Sequence, residues 1–298
     1  MNKHAYLIIA HNQFELLETI IKMLDDERND IYIHIDEKVK DFDFAHFENI
    51  PVHSKIMFSP RVRITWGDYS QVRSETVLLK TAFENQDSEQ PYSYYHLISG
   101  VDLPIKTNDE IYSFFEQNYP AEFVHIASES ECKSAENRIK YYHLFRKKRN
   151  MLNKILAQAV LRLQKAVGVN RLRNTDISVK KGTNWFSITN EFAAYLLQRE
   201  DFINKTFSNS YCCDEVFVQT LLYNSPFKEN LFIKEQGNNQ FACARLIDWQ
   251  RGNPYVFTAN DFDEIISSPA MFARKFDLNK DKAVIKKIRD YVKGKSNE

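Results

Sequence analysis

The first third of the chain constrains the fold most, because strand and helix patterns alternate from its start. His4–Ala10 is a short apolar run bounded by polar residues, which is typical of a buried strand. Phe14–Leu24 repeats leucine and isoleucine at helical spacing, and Asp30–Ile35 is again apolar. A strand, a helix and a strand in succession predict a βαβ unit, with parallel strands and a right-handed crossover.

The same alternation continues along the chain. Further strands are predicted at Val52–Phe58, Tyr92–Ser99, Glu122–Ile126, Trp185–Ile188 and Phe232–Ile233, with Gly100–Pro104 as a loop. Further helices are predicted at Ser70–Phe83, Asn108–Glu116, Asn190–Leu197, Asp214–Leu222, Asn260–Ser267 and Asn279–Lys293. This order predicts an α/β fold with an open nucleotide-binding sheet. We expect one compact domain over residues 1–298, with a nucleotide-binding half (1–126) and a half for acceptor and diphosphate (127–298).

Composition excludes several classes of protein. Forty Lys and Arg balance forty Asp and Glu, so no nucleic-acid partner is expected. The four cysteines (Cys132, Cys212, Cys213 and Cys243) contain no CxxC pair, which argues against a zinc site or a disulfide framework and fits a reduced, cytosolic setting. The apolar run Ala5–Ala10 is too short for a signal peptide or a membrane span, so a cytoplasmic protein is expected.

Residues 138–181 differ from the rest of the chain, with thirteen basic residues against one acid, Asp176. Apolar residues recur at helical spacing from Met151 to Leu163, and Arg146–Arg149, Lys154, Arg162 and Lys165 surround them. The pattern predicts a basic amphipathic helix and leaves two interpretations open. The helix packs its apolar face on the core, or it contacts an anionic membrane or a lipid-pyrophosphate acceptor.

The chain has no P-loop, no GxGxxG, no HExxH and no GxSxG. Two Asp-x-Asp strings, Asp41–Asp43 and Asp261–Asp263, could bind a metal, but the first lies in a polar connection and the second where Asp is an ordinary helix N-cap. His11 and Asp36 each follow a predicted strand, at the edge where open α/β sheets bind ligands. Asp36 therefore either accepts hydrogen bonds from a base or ribose or caps the next helix, and His11 has either a ligand or a structural role.

Three further positions are candidates for chemistry. Asp102 follows the strand that ends at Ser99 and could simply order a turn. Glu215 opens a helix, where the macrodipole favours an acid, but a carboxylate facing a cleft could also be a general base. Arg274 and Lys275 lie between aromatic residues, and fixed cations can neutralise a leaving diphosphate without a metal.

Blocks of sequence in a fixed order resemble the core-2/I-branching β-1,6-N-acetylglucosaminyltransferase family, which includes the peptide O-xylosyltransferases. The matching blocks are LIIAH (7–11), YIHIDEK (32–38), ITWGDYSQV (64–72), HLISGVDLPIKTNDEI (96–111), GTNWFSITNEFAAYLL (182–197), CDEVFVQTLL (213–222), DWQRGNPYVFTANDF (248–262) and MFARKFD (271–277). They span nearly the whole chain, but nothing matches residues 138–181. We expect a protein without the animal enzymes' cysteine pattern, membrane anchor and stem, which leaves the acceptor open.

The resemblance implies a GT-A fold that works without a metal or another cofactor and inverts a UDP-sugar in one displacement. It implies that Ala10, His11 and Asp36 hold uracil and ribose, and that Ile64, Thr65 and Trp66 lie near the nucleotide. Asn184 and Trp185 would line the cleft for the donor sugar and the acceptor, and Glu215 would be the catalytic base. Asn253, Arg274 and Lys275 would contact the diphosphate. Arg251 adds a further cation there, although its alignment slips by one residue. Asn184 stands where the xylosyltransferases have Asp.

We therefore expect a bacterial-type glycosyltransferase that moves N-acetylglucosamine from a UDP-sugar to a hydroxyl of a glycan acceptor in surface polysaccharide synthesis. UDP-xylose, UDP-galactose and UDP-glucose follow as donors. A lipid-linked acceptor, a cytoplasmic location and peripheral contact with the inner face of an anionic membrane are part of this expectation. Two alternatives remain, a metal-dependent GT-A enzyme of another family and a nucleotide-sugar- or glycan-binding protein that has lost catalysis.

Overall fold

The predicted βαβ unit lies in a six-stranded mixed sheet. The computed structural model describes residues 2–145, 150–173, 175–237 and 239–296. Its strands are β1 (His4–Ala10), β2 (Asn29–Ile35), β3 (Lys55–Phe58), β4 (Tyr94–Ser99), β5 (Asp102–Pro104), β6 (Phe123–Val124), β7 (Phe186–Thr189), β8 (Arg245–Ile247) and β9 (Phe272–Arg274). The predicted bounds of β1 are confirmed, as is the α/β fold class.

Helices lie on both sides of this sheet. They are α1 (Phe14–Leu24), α2 (Phe44–Glu48), α3 (Ser70–Glu84), α4 (Asn108–Gln117), α5 (Glu129–Lys140), α6 (Met151–Ala166), α7 (Asn190–Leu197), α8 (Glu200–Phe207), α9 (Phe217–Tyr223), α10 (Phe262–Ser267) and α11 (Lys282–Lys295). Short 3₁₀ turns occupy Cys213–Glu215, Pro226–Asn230, Gln240–Cys243 and Ala259–Asp261. The predicted bounds of α1 and α7 are confirmed.

The strand order β3-β2-β1-β4-β7-β6 brings four parallel strands together. β1 pairs in parallel with β2 and β4, and β2 with β3, whereas β7 runs antiparallel to β4 and β6. Alternate side chains of β1 enter two cores: Leu7 packs with α3, α7 and α9, and Ile8 packs with α1, α4 and α11. The carboxyl ends of the four parallel strands therefore form one edge of the sheet.

A second, three-stranded sheet has the order β5-β9-β8. β5 lies within Gly100–Pro104, which the sequence analysis assigned to a loop. Asp102 of β5 pairs with Arg274 of β9, and Ile247 of β8 is the partner of Arg274 on the other side. Three-residue strands are too short for a periodic pattern, which explains the wrong prediction. Their pairing brings the chain near residue 274 to the carboxyl end of β4.

Several other predicted elements differ in the structure. Phe232–Ile233 is not a strand; the nearest pairing is an isolated bridge between Glu122 and Leu231. The helix predicted at Asp214–Leu222 is interrupted at Val216, which leaves the helical region, so a 3₁₀ turn precedes α9. The strand predicted from Val52 starts at Lys55, because the backbone N–H groups of residues 52–54 donate to the Asp25 carboxylate instead of a ladder.

The helix α6 does not pack its apolar face on the core. Its residues Met151, Leu152, Ile155 and Leu163 are exposed, and the buried residue on it is Gln164. The interpretation in which its apolar face packs on the core is therefore wrong. The basic run Arg146–Arg149 lies outside the described residues. No helix in the described part of the chain is both long and apolar enough to cross a bilayer.

Candidate active site

Asp36 lies at the carboxyl edge of the sheet, directly after β2. Its side chain is buried, and Oδ1 accepts hydrogen bonds from the backbone N–H of Lys38 at 2.9 Å and of Ile64 at 3.4 Å. The Lys38 ammonium lies 3.1 Å from Oδ2, and the Asp36 N–H donates to the carbonyl of Ala10. Asp36 thus joins three chain segments, and its carboxylate caps a turn rather than a helix. Next to it is exposed His11, whose pKa is lowered by desolvation while the charge of Asp36 opposes that shift.

The loop after Ile64 packs against the segment that precedes Glu215. The Trp66 ring makes an edge-to-face contact with Tyr211, with centroids 6.0 Å apart. Gly67 has a φ of +74°, and a Cβ there would lie 2.8 Å from the Tyr211 ring. Its carbonyl accepts from the N–H of Cys212 at 3.1 Å. Only glycine fits this close approach without strain, so the loop after Ile64 and the chain before Glu215 are in direct contact.

Glu215 is held by a residue that the sequence analysis did not single out. Arg138, near the end of α5, places Nη1 2.7 Å from Glu215 Oε2 and 3.2 Å from the carbonyl oxygen of Cys212. Burial alone would lower the pKa of Arg138, but the hydrogen bond and the charge of Glu215 together have a larger effect, so the pKa is raised. The Glu215 carbonyl accepts from the Gly182 N–H at 2.9 Å. The carboxylate side chain keeps 35% of its surface exposed, so it can meet a substrate.

Two further acids are buried behind Glu215. The Gln71 amide donates to Asp214 Oδ2 at 2.8 Å. Burial, together with the charge of neighbouring Glu215, raises the pKa of Asp214 to about 7. Burial and the charge of Asp214 raise the pKa of Glu75 well above its ordinary value. Asp214 and Glu75 are buried, so Glu215 is the acid of this group that a substrate can reach.

Glu215 opens onto a cleft of about 760 Å³. Asn184 lies in its wall, together with His125, Lys181, Gly182, Trp249 and Arg251. A cleft of this size falls in the range of small-molecule sites, which are about 300–1,000 Å³. The structure therefore brings the predicted base and one predicted donor-cleft residue to the same cavity.

Arg274 lies between Trp185 and Asp102. Its guanidinium carbon is 4.0 Å from the centroid of the Trp185 ring, and Nε is 3.7 Å from Asp102 Oδ1. Asp102 is fixed by Ser99, whose N–H and hydroxyl donate to its carboxylate at 2.8 and 2.7 Å. Burial lowers the pKa of Arg274, and the charge of Asp102 opposes that shift. The buried Nε and Nη1 atoms have no hydrogen-bond partner among the described residues, so the guanidinium keeps donors for an anion.

Lys275 continues from Arg274 through a cis peptide bond. Its N–H donates to the Tyr255 carbonyl at 3.4 Å, and its carbonyl accepts from the Phe257 N–H at 3.0 Å. In the described parts of the chain, no hydrogen bond or ion pair engages its ammonium group. Two neighbouring cations thus have unfilled capacity for a negatively charged group.

Arg251, unlike Lys275, has its charge offset by neighbouring carboxylates. Its guanidinium bonds to Asp248, to Asp261 at 2.7 Å and to Glu264 at 2.8 Å. Three carboxylates offset its charge, although it lines the cleft. Asn253 is exposed on the following loop and precedes a cis-proline. The assignment of Arg251 and Asn253 to the diphosphate stays a prediction.

The Asp-x-Asp strings are used for local structure. Asp43 accepts from the His46 N–H at the start of α2. Asp261 accepts from the N–H and the hydroxyl of Thr258 and pairs with Arg251. Among residues 2–145, 150–173, 175–237 and 239–296, no group of three side chains of the metal-binding types is close enough to hold an ion. Asp261 thus has a capping role, as the sequence analysis considered for the second string, whereas the cap that Asp43 gives α2 was not predicted.

Direct contacts join most of the predicted residues into a closed ring. Asp36 bonds to Ala10 and to Ile64. The loop formed by residues 64–67, which includes Thr65 and Trp66, contacts the segment 211–212, which Arg138 links to Glu215. Gly182 leads through Asn184 to Trp185, which stacks on Arg274, and Arg274 pairs with Asp102. Gly100 closes the ring, since its N–H donates to Ile9 beside Ala10. Of the members of this ring, Gly182, Asn184 and Glu215 line the cleft.

Comparisons with known proteins found one family model and several similar sequences. A family model described as Core-2/I-Branching enzyme matches residues 4–266. Xylosyltransferase 2 of Rattus norvegicus is 22% identical over 97% of this chain and 34% of its own length. Xylosyltransferase 1 of Homo sapiens is 22% identical over 97% of this chain and 30% of its own length. The chain thus spans about a third of the length of these curated relatives.

A solved structure also matches most of the chain. The crystal structure of mouse xyloside xylosyltransferase 1 in its apo form covers 94% of this chain and 99% of its own. The sequence identity is 11% and the TM-score is 0.40.

Proposed function

The chain belongs to the Core-2/I-branching enzyme family, and we propose that it is an inverting glycosyltransferase that uses a UDP-sugar without a metal ion. One observation carries this proposal. Arg274 keeps two buried guanidinium nitrogens without a hydrogen-bond partner, although Nε lies 3.7 Å from Asp102, and no hydrogen bond or ion pair engages the Lys275 ammonium in the described part of the chain. Cationic groups that keep unused hydrogen-bond donors indicate an anionic ligand, and a diphosphate is an anion of suitable size and charge.

In the proposed step, an acceptor hydroxyl oxygen forms a bond to the anomeric carbon of the donor sugar. The bond from that carbon to the diphosphate oxygen breaks on the opposite face, and the electron pair leaves with UDP. The hydroxyl proton passes to Glu215. Arg274 and Lys275 stabilise the negative charge that develops on the diphosphate, which is the role of preorganised cations in such reactions.

Glu215 suits the role of base because its two oxygens differ. Oε2 accepts from Arg138 at 2.7 Å, whereas Oε1 has no hydrogen bond within the described residues. The free oxygen can accept the proton while the other one fixes the orientation of the carboxylate. A correctly placed base contributes roughly 10²–10⁴ in rate.

The nucleotide end of the site is proposed at the carboxyl edge of β1 and β2. Ala10, Asp36 and Ile64 are joined there by backbone and side-chain hydrogen bonds. Open α/β sheets bind nucleotides at this edge. Uridine at this end and a diphosphate at Arg274 would place the sugar towards Trp185 and Asn184, within the ring that also holds Glu215.

We propose N-acetylglucosamine as the transferred sugar and a glycan, carried on a lipid in surface polysaccharide synthesis, as the acceptor. A second candidate, xylosyl transfer, is favoured by the similarity to xylosyltransferases. We propose a cytoplasmic location, because all four cysteines are free thiols, including the neighbouring pair Cys212 and Cys213. Free thiols persist in reducing compartments.

A donor screen tests the proposed function. UDP release would be measured with UDP-N-acetylglucosamine, UDP-xylose, UDP-galactose and UDP-glucose, each with a panel of p-nitrophenyl glycosides as acceptors. We expect release with one donor, unchanged by EDTA, and loss of release in Glu215→Gln with UDP binding retained. Binding of UDP without release from any donor would favour a binding protein that has lost catalysis. Strict dependence on manganese would contradict the metal-free step.

A further inference from the structure

The helix α6 is oriented opposite to an ordinary surface helix. Its buried residue is polar: the Gln164 amide accepts from the Tyr142 N–H at 2.8 Å and donates to the Tyr142 carbonyl at 2.9 Å. Its large apolar side chains face solvent, with Met151 exposed to 72% and Leu163 to 63%. A helix in a globular protein usually buries its apolar side, so this exposed side indicates a missing partner.

The exposed residues of α6 form two adjacent stripes. At about 100° per residue, Leu152, Ile155, Leu156, Ala159 and Leu163 fall within one arc of about 100°. Lys154, Arg162 and Lys165 fall within the neighbouring arc of about 80°. Gln164 lies on the opposite side, towards the protein. We call the two stripes together the outward face of α6.

An apolar stripe beside a basic stripe fits the surface of an anionic bilayer. Apolar side chains enter the boundary between headgroups and acyl chains, while lysine and arginine contact the anionic headgroups. No acidic residue occurs between Glu136 and Asp176, so α6 itself carries no carboxylate that would oppose that contact. A second copy of the chain is a poorer partner, because a symmetric contact would bring the basic stripes of both copies together.

The segment that binds Gln164 of α6 is connected to the candidate active site. Tyr142, which binds Gln164, follows Arg138 by four residues. The N–H of Tyr211 donates to the Arg138 carbonyl at 3.1 Å, and the N–H of His143 donates to the Asn209 carbonyl at 2.7 Å. A surface that holds α6 would therefore also hold the wall of the site that carries Arg138.

We propose that the outward face of α6 docks this protein on anionic lipid bilayers. The contact places the protein at a surface where a lipid-linked acceptor would be presented. It does not depend on the donor sugar or on the role of Glu215, so the proposed function and this docking can fail separately.

Flotation of the full chain with vesicles tests the proposal. One set of vesicles contains phosphatidylcholine alone, and the other an equimolar mixture of phosphatidylcholine and phosphatidylglycerol. We expect the wild type to float with the mixed vesicles and much less with pure phosphatidylcholine. Raising the salt concentration should weaken binding, because the electrostatic part is screened. Absence of flotation with the mixed vesicles, or equal binding to both sets, would overturn the proposal.

Two variants separate the stripes, and a third is the matched control. Ile155→Glu with Leu163→Glu removes apolar contact, and Lys154→Glu with Arg162→Glu reverses the basic stripe. Lys286→Glu with Lys293→Glu makes the same charge change as the second variant on the exposed side of α11. We expect the first two variants to bind roughly tenfold or more weakly and the control to keep most of its binding. Equal weakening in the second variant and the control would show that only net charge matters, and would overturn the assignment to α6.

Folding and self-association are measured on the same samples. All four substituted side chains on α6 are exposed, so the melting temperatures should remain close to that of the wild type. Light scattering should show the wild type and the Ile155→Glu, Leu163→Glu variant in the same oligomeric state. A dimer in the wild type that becomes a monomer in this variant would show that a second copy covers the face, and would overturn the bilayer proposal.

Discussion

Arg138 Nη1 lies 2.7 Å from Glu215 Oε2, so one oxygen of the candidate base is fixed by a guanidinium from a different helix. Arg138 itself is held by the Cys212 carbonyl at 3.2 Å. The pair sets the direction of the carboxylate without enclosing it, since Glu215 reaches the cleft. This arrangement predicts a positioning role for Arg138 rather than direct contact with the reacting atoms.

Removing the guanidinium should misplace the base. We expect Arg138→Ala to lower kcat by roughly tenfold to a hundredfold with a smaller change in KM, because the carboxylate loses its orientation. Arg138→Lys should recover part of kcat, since the charge stays. Lys133→Ala, on the exposed side of α5 beside Glu129, is the matched control and should behave as the wild type. Steady-state kinetics measure this, and an unchanged kcat in Arg138→Ala would contradict the positioning role.

The cation stacked on Trp185 should act mainly on the leaving group. We expect Arg274→Ala to lower kcat by roughly 10²–10³ and to weaken UDP binding, because the diphosphate loses a fixed donor. Arg274→Lys should be intermediate, as lysine keeps the charge but neither the planar fork nor the stacking. Calorimetric titration with UDP gives the binding change. Arg289→Ala on α11, where the guanidinium contacts Asp290, is the control. Wild-type affinity for UDP in both Arg274 variants would remove this residue from the diphosphate site.

Buried Glu122 predicts a particular dependence of stability on pH. Burial raises its pKa to about 8, although hydrogen bonds from Thr189 oppose the shift. The unfolded chain loses this proton near the ordinary value of 4.5, so between the two values the folded state binds one more proton. The Glu122 contribution to the free energy of unfolding therefore falls as pH rises, by up to about 1.4 kcal/mol per pH unit.

Glu122→Gln should remove that contribution, because glutamine resembles the neutral acid and can still bond to Thr189. Urea unfolding from about pH 5 to about pH 8 would be compared for the two proteins. The variant should gain stability relative to the wild type as pH rises. The pKa of Asp214 is raised to about 7, so its contribution to the free energy of unfolding also falls as pH rises towards that value. Both proteins contain Asp214, so this contribution cancels in the comparison. Parallel curves would show that Glu122 does not titrate in this range.

Gly182 occupies a position where no side chain fits. A Cβ there would lie 1.7 Å from the carbonyl oxygen of His125, and the Gly182 N–H donates to the carbonyl of Glu215. We expect Gly182→Ala to cost about 1–3 kcal/mol in the free energy of unfolding and to lower activity. Gly294→Ala in α11 is the matched control: nothing lies within 4 Å of its Cβ position. That control should gain about 0.5–1 kcal/mol. Equal melting temperatures for Gly182→Ala and Gly294→Ala would contradict this account of the close approach between Gly182 and His125.

Elements with a periodic pattern could be predicted from the sequence, and the strands of the three-stranded sheet could not. β1, α1 and α7 have the predicted bounds because apolar residues recur along them at the spacing of a strand or a helix. β8 and β9 have three residues each and exist through pairing with distant segments, which no local pattern reveals. The path of Arg274 towards Asp102 depends on that pairing.

The site was predicted only where its residues lie in recognisable blocks. Arg138 lies in residues 138–181, for which the sequence analysis found no matching block, and its partner is brought to it by the fold. A signal for its helix was present, since Ser128 and Glu131 form a capping box that starts α5. The roles of Gln71 and Asp214 depend on the packing of α3 against the turn before α9, and charge alone could not predict that contact.

The hydrogen bond from Gln71 to Asp214 links the two ends of the proposed reaction. Gln71 lies in the first turn of α3, directly after the loop that carries Thr65 and Trp66, and Asp214 directly precedes Glu215. A shift of that loop on arrival of the nucleotide would pull on the turn that bears the proton acceptor. The proposed donor side of the site and the proposed base are thus joined through one side-chain hydrogen bond, which would carry such a movement from one to the other.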